Sequence, residues 1–269
     1  MLVRFARFVH AGGVSFGVVE GEAAAGQSGL TVAEISSLPF ETVRFTGQRW
    51  ALADVRLLAP IFSSKVIGVG RNYADHAAEL GNEVPKEPLI FIKPSTSVIG
   101  PNDAIRLPPQ STKVEHEAEL AVVIGATGAR RVDRAGAERA IFGYTCGNDV
   151  TARDLQRSDP QWTRAKGFDS FCPLGPWIVT DLDVRDLEVR CEVGRDPDAM
   201  ELRQIGRTKD MIFDVPTLVS YVSHVMTLLP GDVILTGTPA GVGPLEAGET
   251  VSVTVQGIGE LANPVVTLD

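Results

Sequence analysis

The stretch Glu115-His116-Glu117-Ala118-Glu119-Leu120-Ala121-Val122-Val123-Ile124 combines strict alternation with an apolar run. In a strand, successive side chains point to opposite faces. Glu115, Glu117 and Glu119 therefore share one face, opposite His116, Ala118 and Leu120. The continuation through Leu120-Ala-Val-Val-Ile124 reads as buried. Carboxylates that enter a buried strand need protons, cations or ion-pair partners, because an uncompensated buried charge is costly. A hard divalent cation is the simplest partner, since Mg²⁺, Mn²⁺ and Ca²⁺ prefer oxygen ligands. A solvated face or glutamates paired with basic side chains are the alternatives.

Outward from this strand the pattern stays β-rich. The 27 glycines and 17 prolines imply many turns and few long helices. Residues 3–9 and 14–19 read as strands joined by a hairpin at Ala11-Gly12-Gly13. Further strands are expected at 65–70, 89–93, 142–150, 232–235, 250–255 and 265–268. Helices are expected at 72–80, at 133–141 with Asp133 as N-cap, and at 215–229, where Pro230-Gly231 stops the helix. Separated helices among many strands indicate an α+β fold rather than a regular βαβ repeat. A boundary near residue 59 divides a small N-terminal domain, 1–58, from a main domain, 59–269.

The chain has 269 residues, 34 acidic and 25 basic, for a net charge of −9. That balance argues against a nucleic-acid binder or a polybasic membrane surface, both of which need clustered Lys and Arg. No run approaches the roughly 18 apolar residues of a membrane span, and the N-terminus reads as a strand rather than a signal peptide. Cys146, Cys172 and Cys191 are odd in number and lack metal-ligand spacing. A disulfide framework or zinc knuckle is not expected, and a cytoplasmic, reducing location fits best.

Four further segments carry candidate chemistry. Asp149 ends an apolar strand, a position that suits a ligand carboxylate or a helix N-cap, and Arg153 and Gln156 follow at a spacing that lets both face one site. Lys166, in Arg164-Ala-Lys-Gly-Phe168, is either a surface lysine or a charge that offsets the carboxylates and binds an anionic substrate. His76 and Glu79 lie three apart, as an exposed pair or as a general base with its orienting carboxylate. Thr236-Gly-Thr-Pro-Ala-Gly-Val-Gly243 lacks the phosphate-loop lysine, so it is a structural turn or a loop that offers backbone N–H groups and the Thr238 hydroxyl to a carboxylate.

Taken in order, Gly70-Arg-Asn-Tyr-Ala-Asp-His76, Phe91-Ile-Lys-Pro94, Glu117-Ala-Glu119-Leu, Asn148-Asp-Val-Thr-Ala-Arg-Asp-Leu-Gln156, Ala165-Lys-Gly-Phe168, Thr236-Gly-Thr-Pro239 and Gly257-Ile-Gly-Glu-Leu-Ala-Asn-Pro264 resemble the fumarylacetoacetate hydrolase superfamily over about residues 65–269. The resemblance implies a mixed β-sandwich roll, a bound Mg²⁺ or Mn²⁺ and a homodimer. It places the metal ligands on Glu117, Glu119 and Asp149, with Glu115 as an acidic residue that does not ligate. It places the active-site lysine on Lys166, substrate contacts on Arg153, Gln156 and Thr238, and the histidine–glutamate pair of a lid-like helix on His76 and Glu79. Arg71 stands near Tyr73 where fumarylacetoacetate hydrolase proper has a further carboxylate, so the match is to the small bacterial-type members.

The implied chemistry acts on a 2-oxo acid chelated through its carboxylate and 2-oxo oxygens. A bond at C3 breaks, and the metal and Lys166 stabilise the resulting enolate. In hydrolysis, His76 takes a proton from water while Glu79 orients the ring. Oxaloacetate decarboxylation or acylpyruvate hydrolysis is the expected reaction. Isomerisation of 2-hydroxyhepta-2,4-diene-1,7-dioate, or metal binding without catalysis, is the alternative. Residues 82–87 are the expected source of selectivity.

Overall fold

The computed structural model describes residues 2–21, 29–79 and 81–268. Its centre is a twelve-stranded mixed sheet. From one edge the strands run Phe45–Ala51, Thr31–Ile35, Gly13–Glu20, Arg4–His10, Cys172–Val179, Ile141–Asn148, Ala118–Ile124, Val233–Leu235, Val66–Gly70 and Leu89–Lys93. Arg56–Leu58 and Val98–Ile99 pair with Arg4–His10 and Cys172–Val179 respectively. A five-stranded sheet packs on one face, in the order Glu201–Arg207, Glu188–Gly194, Thr250–Val255, Gly259–Thr267 and Ile105–Leu107. The α+β, β-rich expectation is met, and two stacked sheets make the roll.

The decisive strand is buried on both sides. Leu120, Val122 and Ile124 join the core that includes Val189, Cys191, Val251 and Val253 of the second sheet. Ala121 and Val123 join a second core with Val66, Val233, Leu174 and Ile178. This is why the run is apolar without alternation past Leu120. Each fully buried Leu or Val there contributes roughly 1.5–3 kcal/mol. The three cysteines are free and buried in these cores. Burial pushes the thiols of Cys146 and Cys172 up to about 12.

Among the described residues five α-helices, α1 (Ala74–Glu79), α2 (Arg134–Ala140), α3 (Arg153–Ser158), α4 (Thr163–Lys166) and α5 (Val215–Val225), connect the strands. No helix among the described residues is long and apolar enough to cross a membrane. Asp133 caps α2, accepting from Gly136 N at 2.8 Å. Helix α5 ends at Val225, earlier than the Pro-Gly signal suggested, because Leu228 turns extended and bridges to Ala129. Helix α1 starts at Ala74 rather than at residue 72, and Leu80, its expected end, lies outside the described residues. Asn72 is kept out of the helix by its side chain, which donates to Phe213 O and Thr236 O and accepts from Phe213 N.

The N-terminal hairpin forms as expected, with Val9 opposite Val14 and His10 opposite Gly13. Its first strand is hydrogen-bonded to Cys172–Val179, with Arg4 opposite Val179, so the N-terminal strands extend the main sheet. Thr31–Ile35 and Phe45–Ala51 fall in a segment whose small, polar sequence signalled no strand.

Candidate active site

The site lies at one end of the main sheet. Val66–Gly70 and Val233–Leu235 are parallel neighbours, and their C-terminal ends lead into Arg71 and into Gly237-Thr238. The antiparallel pair between them and Cys172–Val179 brings the start of Ala118–Ile124 beside the end of Ile141–Asn148, with Ala118 opposite Asn148. Four segments thus meet around one cavity of about 210 Å³, lined in part by His76, Glu117, Glu119, Arg153, Lys166 and Thr238.

At Glu117 the chain changes sheets. Val114–His116 pairs with Thr151–Ala152 and Gly243–Pro244, whereas Ala118–Ile124 belongs to the main sheet. The crossover is pinned by Glu117 N donating to Asn148 Oδ1 at 3.0 Å and by Asp149 N donating to Glu117 O at 2.9 Å. The glutamates nevertheless keep the common side that alternation requires. Arg153 bridges Glu115 and Glu117, at 2.6 Å to each. Glu117, Glu119 and Asp149 each offer an oxygen, and these atoms lie within 4.8 Å of one another. All three residues are buried.

Three cations balance this cluster. Lys166 Nζ donates to Glu117 Oε2 at 2.8 Å and to Asp149 Oδ2 at 2.5 Å. Lys93 Nζ donates to the other Asp149 oxygen at 2.5 Å and to Val150 O at 3.1 Å. Burial opposes ionisation of Glu117, but the neighbouring Lys166 and Arg153 charges overcome it and hold its carboxyl well below the usual range. Burial also opposes the charge on Lys166, and Asp149 and Glu117 reverse this, raising its pKa.

Glu119 differs. Burial, and then the like charges of Asp149 and Glu117, push its carboxyl well above the ordinary value. Its Oε2 accepts only one short hydrogen bond among the described residues, from Gly237 N at 2.6 Å. Gly237 allows this approach because it has φ +98° and a Cβ there would sit 2.7 Å from Asn72 Cβ. Glu119 thus has no ion-pair partner among the described residues, while Glu115, Glu117 and Asp149 are paired with Lys113, Arg153, Lys166 and Lys93. Hard carboxylate oxygens so arranged fit a divalent cation of the Mg²⁺ or Mn²⁺ type.

His76 is buried in the cavity wall, with Nδ1 3.3 Å from Glu79 Oε2. The Glu79 oxygens also accept from Gly241 N at 3.0 and 3.2 Å. This ties α1 to the glycine-rich loop. A proton on Nδ1 facing Glu79 leaves Nε2 as the basic nitrogen. On α3, Gln156 Oε1 accepts from Arg153 at 2.6 Å. The structure therefore brings His76, Lys166, Arg153, Gln156, Thr238, Glu117 and Glu119 to the lining of one cavity, with Glu79 bonded to His76 and Asp149 to Lys166.

Sequence reasoning missed several contributors. Lys93, fully buried at the end of Leu89–Lys93, carries no role in the sequence pattern, although a lysine facing inward at a strand end is itself a sign of a buried carboxylate. Gln204, on the second sheet, accepts from His116 Nδ1 and Ala118 N and donates to Thr238 Oγ1 and Pro239 O, all at 2.7–3.0 Å. It holds Thr238, whose hydroxyl donates to Ala118 O at 2.8 Å. Burial lowers the His116 pKa, so this ring is neutral and acts as part of that scaffold. Arg71, Arg157 and Trp162 also line the cavity.

Known proteins resemble this chain along nearly its whole length. The chain is 55% identical over 267 residues to Protein Rv2993c of Mycobacterium tuberculosis, covering 98% of each chain. The crystal structure of 2-hydroxyhepta-2,4-diene-1,7-dioate isomerase from Mycobacterium marinum is 53% identical, with a TM-score of 0.90 over 98% of each chain. Maleylpyruvate hydrolase from Sphingobium sp. SYK-6, solved with manganese(II) and pyruvate, is 32% identical, with a TM-score of 0.77 over 99% of this chain and 100% of that one. Residues 3–60 match the Rv2993c-like N-terminal model, and residues 65–266 match the fumarylacetoacetate hydrolase C-terminal model. The second match contains every carboxylate and cation of the cavity floor, and on it the chain belongs to the fumarylacetoacetate hydrolase family.

Proposed function

We propose that this protein is a divalent-cation-dependent enzyme that acts on 2-oxo acids and breaks the C–C bond beyond C3, as in acylpyruvate hydrolysis or oxaloacetate decarboxylation. The observation that carries this reading is the convergence of Glu117, Glu119 and Asp149 within 4.8 Å, beside Lys166 and facing the His76–Glu79 pair. Glu117, Glu119 and Asp149 would hold Mg²⁺ or Mn²⁺. When bound, the cation would supply Lewis-acid polarisation of the 2-oxo acid.

The chain's own groups do the rest. The Lys166 ammonium, fixed by two carboxylates, offers positive charge to the oxygen on which charge develops. Arg153 and Gln156 present donors to the substrate carboxylate, and Thr238, whose hydroxyl is held by Gln204, lines the same cavity. His76 Nε2 takes the proton of an attacking water in hydrolysis, and Glu79 keeps Nδ1 protonated and the ring aligned. Decarboxylation needs no such water, so His76 separates the two reactions.

Manganese(II) and pyruvate in the related maleylpyruvate hydrolase support a 2-oxo acid site. A second reading is isomerisation of 2-hydroxyhepta-2,4-diene-1,7-dioate, favoured by the likeness to the M. marinum protein of that name. Purified protein with Mn²⁺ or Mg²⁺ is to be assayed on oxaloacetate, acylpyruvates and the dienedioate, following pyruvate release and enol absorbance. Pyruvate from the first two supports C–C cleavage, and an absorbance shift without pyruvate supports isomerisation. No change with any of them would leave a metal-binding protein without this catalysis.

A further inference from the structure

We infer that Phe91 is a positioning residue for Lys166: its ring face holds the ammonium so that the proton left over by Glu117 and Asp149 meets the ligand. The inference rests on Lys166 being the group that faces a ligand oxygen, as proposed above. Lys166 Nζ lies 4.9 Å from the centroid of the Phe91 ring. Two of its three protons go to Glu117 Oε2 and Asp149 Oδ2, and the third has no acceptor among the described residues. An ammonium is attracted to the negative face of an aromatic ring, which offers it no lone pair. The ring thus steadies the charge without capturing the free proton, as a third carboxylate would.

The ring is itself built in. In the antiparallel pair of Val66–Gly70 with Leu89–Lys93, Phe91 stands opposite Gly68. A Cβ at Gly68 would lie 2.2 Å from Phe91 Cζ, so the ring lies across the strand only because this residue is glycine. Gly70, two residues on and on the same face, seats Trp162 likewise, since a Cβ there would lie 2.8 Å from Trp162 Cζ3. The Phe91 and Trp162 rings meet at 5.5 Å and 70°, a T-shaped contact.

The lysine comes to this ring from the same helix as the indole. Trp162 is the N-cap of α4 and Lys166 its last residue, at i and i+4, and Lys166 N donates to Trp162 O at 3.0 Å. One helical turn therefore sets both the indole and the ammonium against Phe91. Lys93, two residues after Phe91 and on the same face of its strand, reaches Asp149 at 2.5 Å. Positions 91 and 93 thus serve one pair of charges, the first through a ring face and the second through an ion pair.

The test separates the ring's charge from its shape. Fluorine draws electron density from the ring face, so mono-, di- and trifluorinated phenylalanine at position 91 weaken the attraction stepwise at nearly constant size. Oxalate, a planar dianion, is titrated calorimetrically into the Mn²⁺-loaded protein. Phe91→Leu should lower its affinity about three- to tenfold, the scale of one desolvated cation–π contact. The fluorinated proteins should fall between, in order of fluorine count. Gly68→Ala, whose Cβ displaces the ring, should reproduce the leucine effect. In the metal-free protein, the NMR resonance of the Lys166 ε-methylene protons is assigned by its loss in Lys166→Arg. The ring should shift it upfield in the wild type, and Phe91→Leu should return it to ordinary lysine values. An unshifted wild-type resonance, or an oxalate affinity indifferent to fluorination, would overturn the positioning role. A wild type that binds no oxalate but shows the shifted resonance would count against the proposed 2-oxo acid site while leaving the hold of Phe91 on Lys166 standing.

Discussion

Two regions of this molecule are built from the same ion pairs to different ends. On the outer meander, Arg49 meets Glu20 at 3.0 Å with side chains 60% and 40% exposed. On the cavity floor, Lys93, Arg153 and Lys166 meet Glu115, Glu117 and Asp149 at 2.5–2.8 Å, and no side chain involved is more than 6% exposed. Water screens the first pair, and either partner can be lost with little effect. The floor has no such screen, so each charge depends on the next, and removing one strands another. A buried cluster of this kind is weak evidence for stability and strong evidence that the charges themselves are needed.

The largest effects should come from the floor. Glu117→Ala and Asp149→Ala should each abolish Mn²⁺ binding in calorimetry. Asp149→Ala, by leaving Lys93 without an acidic partner, should also lower stability by about 3–5 kcal/mol in denaturant titration, whereas Glu117→Ala should cost less because Lys166 keeps Asp149 and Arg153 keeps Glu115. Unchanged Mn²⁺ affinity would remove that residue from the proposed ligand set. At the cavity wall, His76→Ala should keep Mn²⁺ affinity while slowing acylpyruvate hydrolysis by roughly 10²–10⁴. An unchanged rate would restrict His76 to a packing role.

The next effect sits between the two regions. Asp214 caps α5 by accepting from Thr217 N and pairs with Arg134. The Arg134 hydrogen bond, against a burial penalty, holds its carboxyl down to about 2 from an ordinary 3.8. A depressed folded-state value means that the contribution is complete above the ordinary value and is lost as pH falls toward 2. Asp214→Ala should therefore cost about 1 kcal/mol near neutrality, and thermal melts of variant and wild type should converge between pH 4 and 2. The smallest effect belongs to the meander, where Arg49→Ala should leave the melting temperature unchanged.

The alternation of Glu115, Glu117 and Glu119 was legible because period two in a strand fixes a shared face whatever lies opposite. Asp149 was legible as a carboxylate at a strand end. What balances them was harder to read. Lys93, Arg153 and Lys166 come from three separate segments, and only the sheet order brings them to one floor. Gln204 was invisible because it lies on Glu201–Arg207, a strand with mostly exposed residues and no apolar rhythm. The same cause hid Phe45–Ala51, where every residue but Trp50 is exposed.

The buried cysteines have a practical consequence. Cys146 and Cys172 are fully covered, with thiols pushed up to about 12, and Cys191 is equally enclosed and also raised. Thiolates are the species that alkylating reagents attack, so the native protein should label with maleimide only after denaturation, which mass spectrometry of the treated protein would check. A single cysteine placed at exposed Ala74 or Asp75 on α1 becomes its one chemical handle. A dye attached there would report the position of the helix that carries His76, with no native residue first having to be removed.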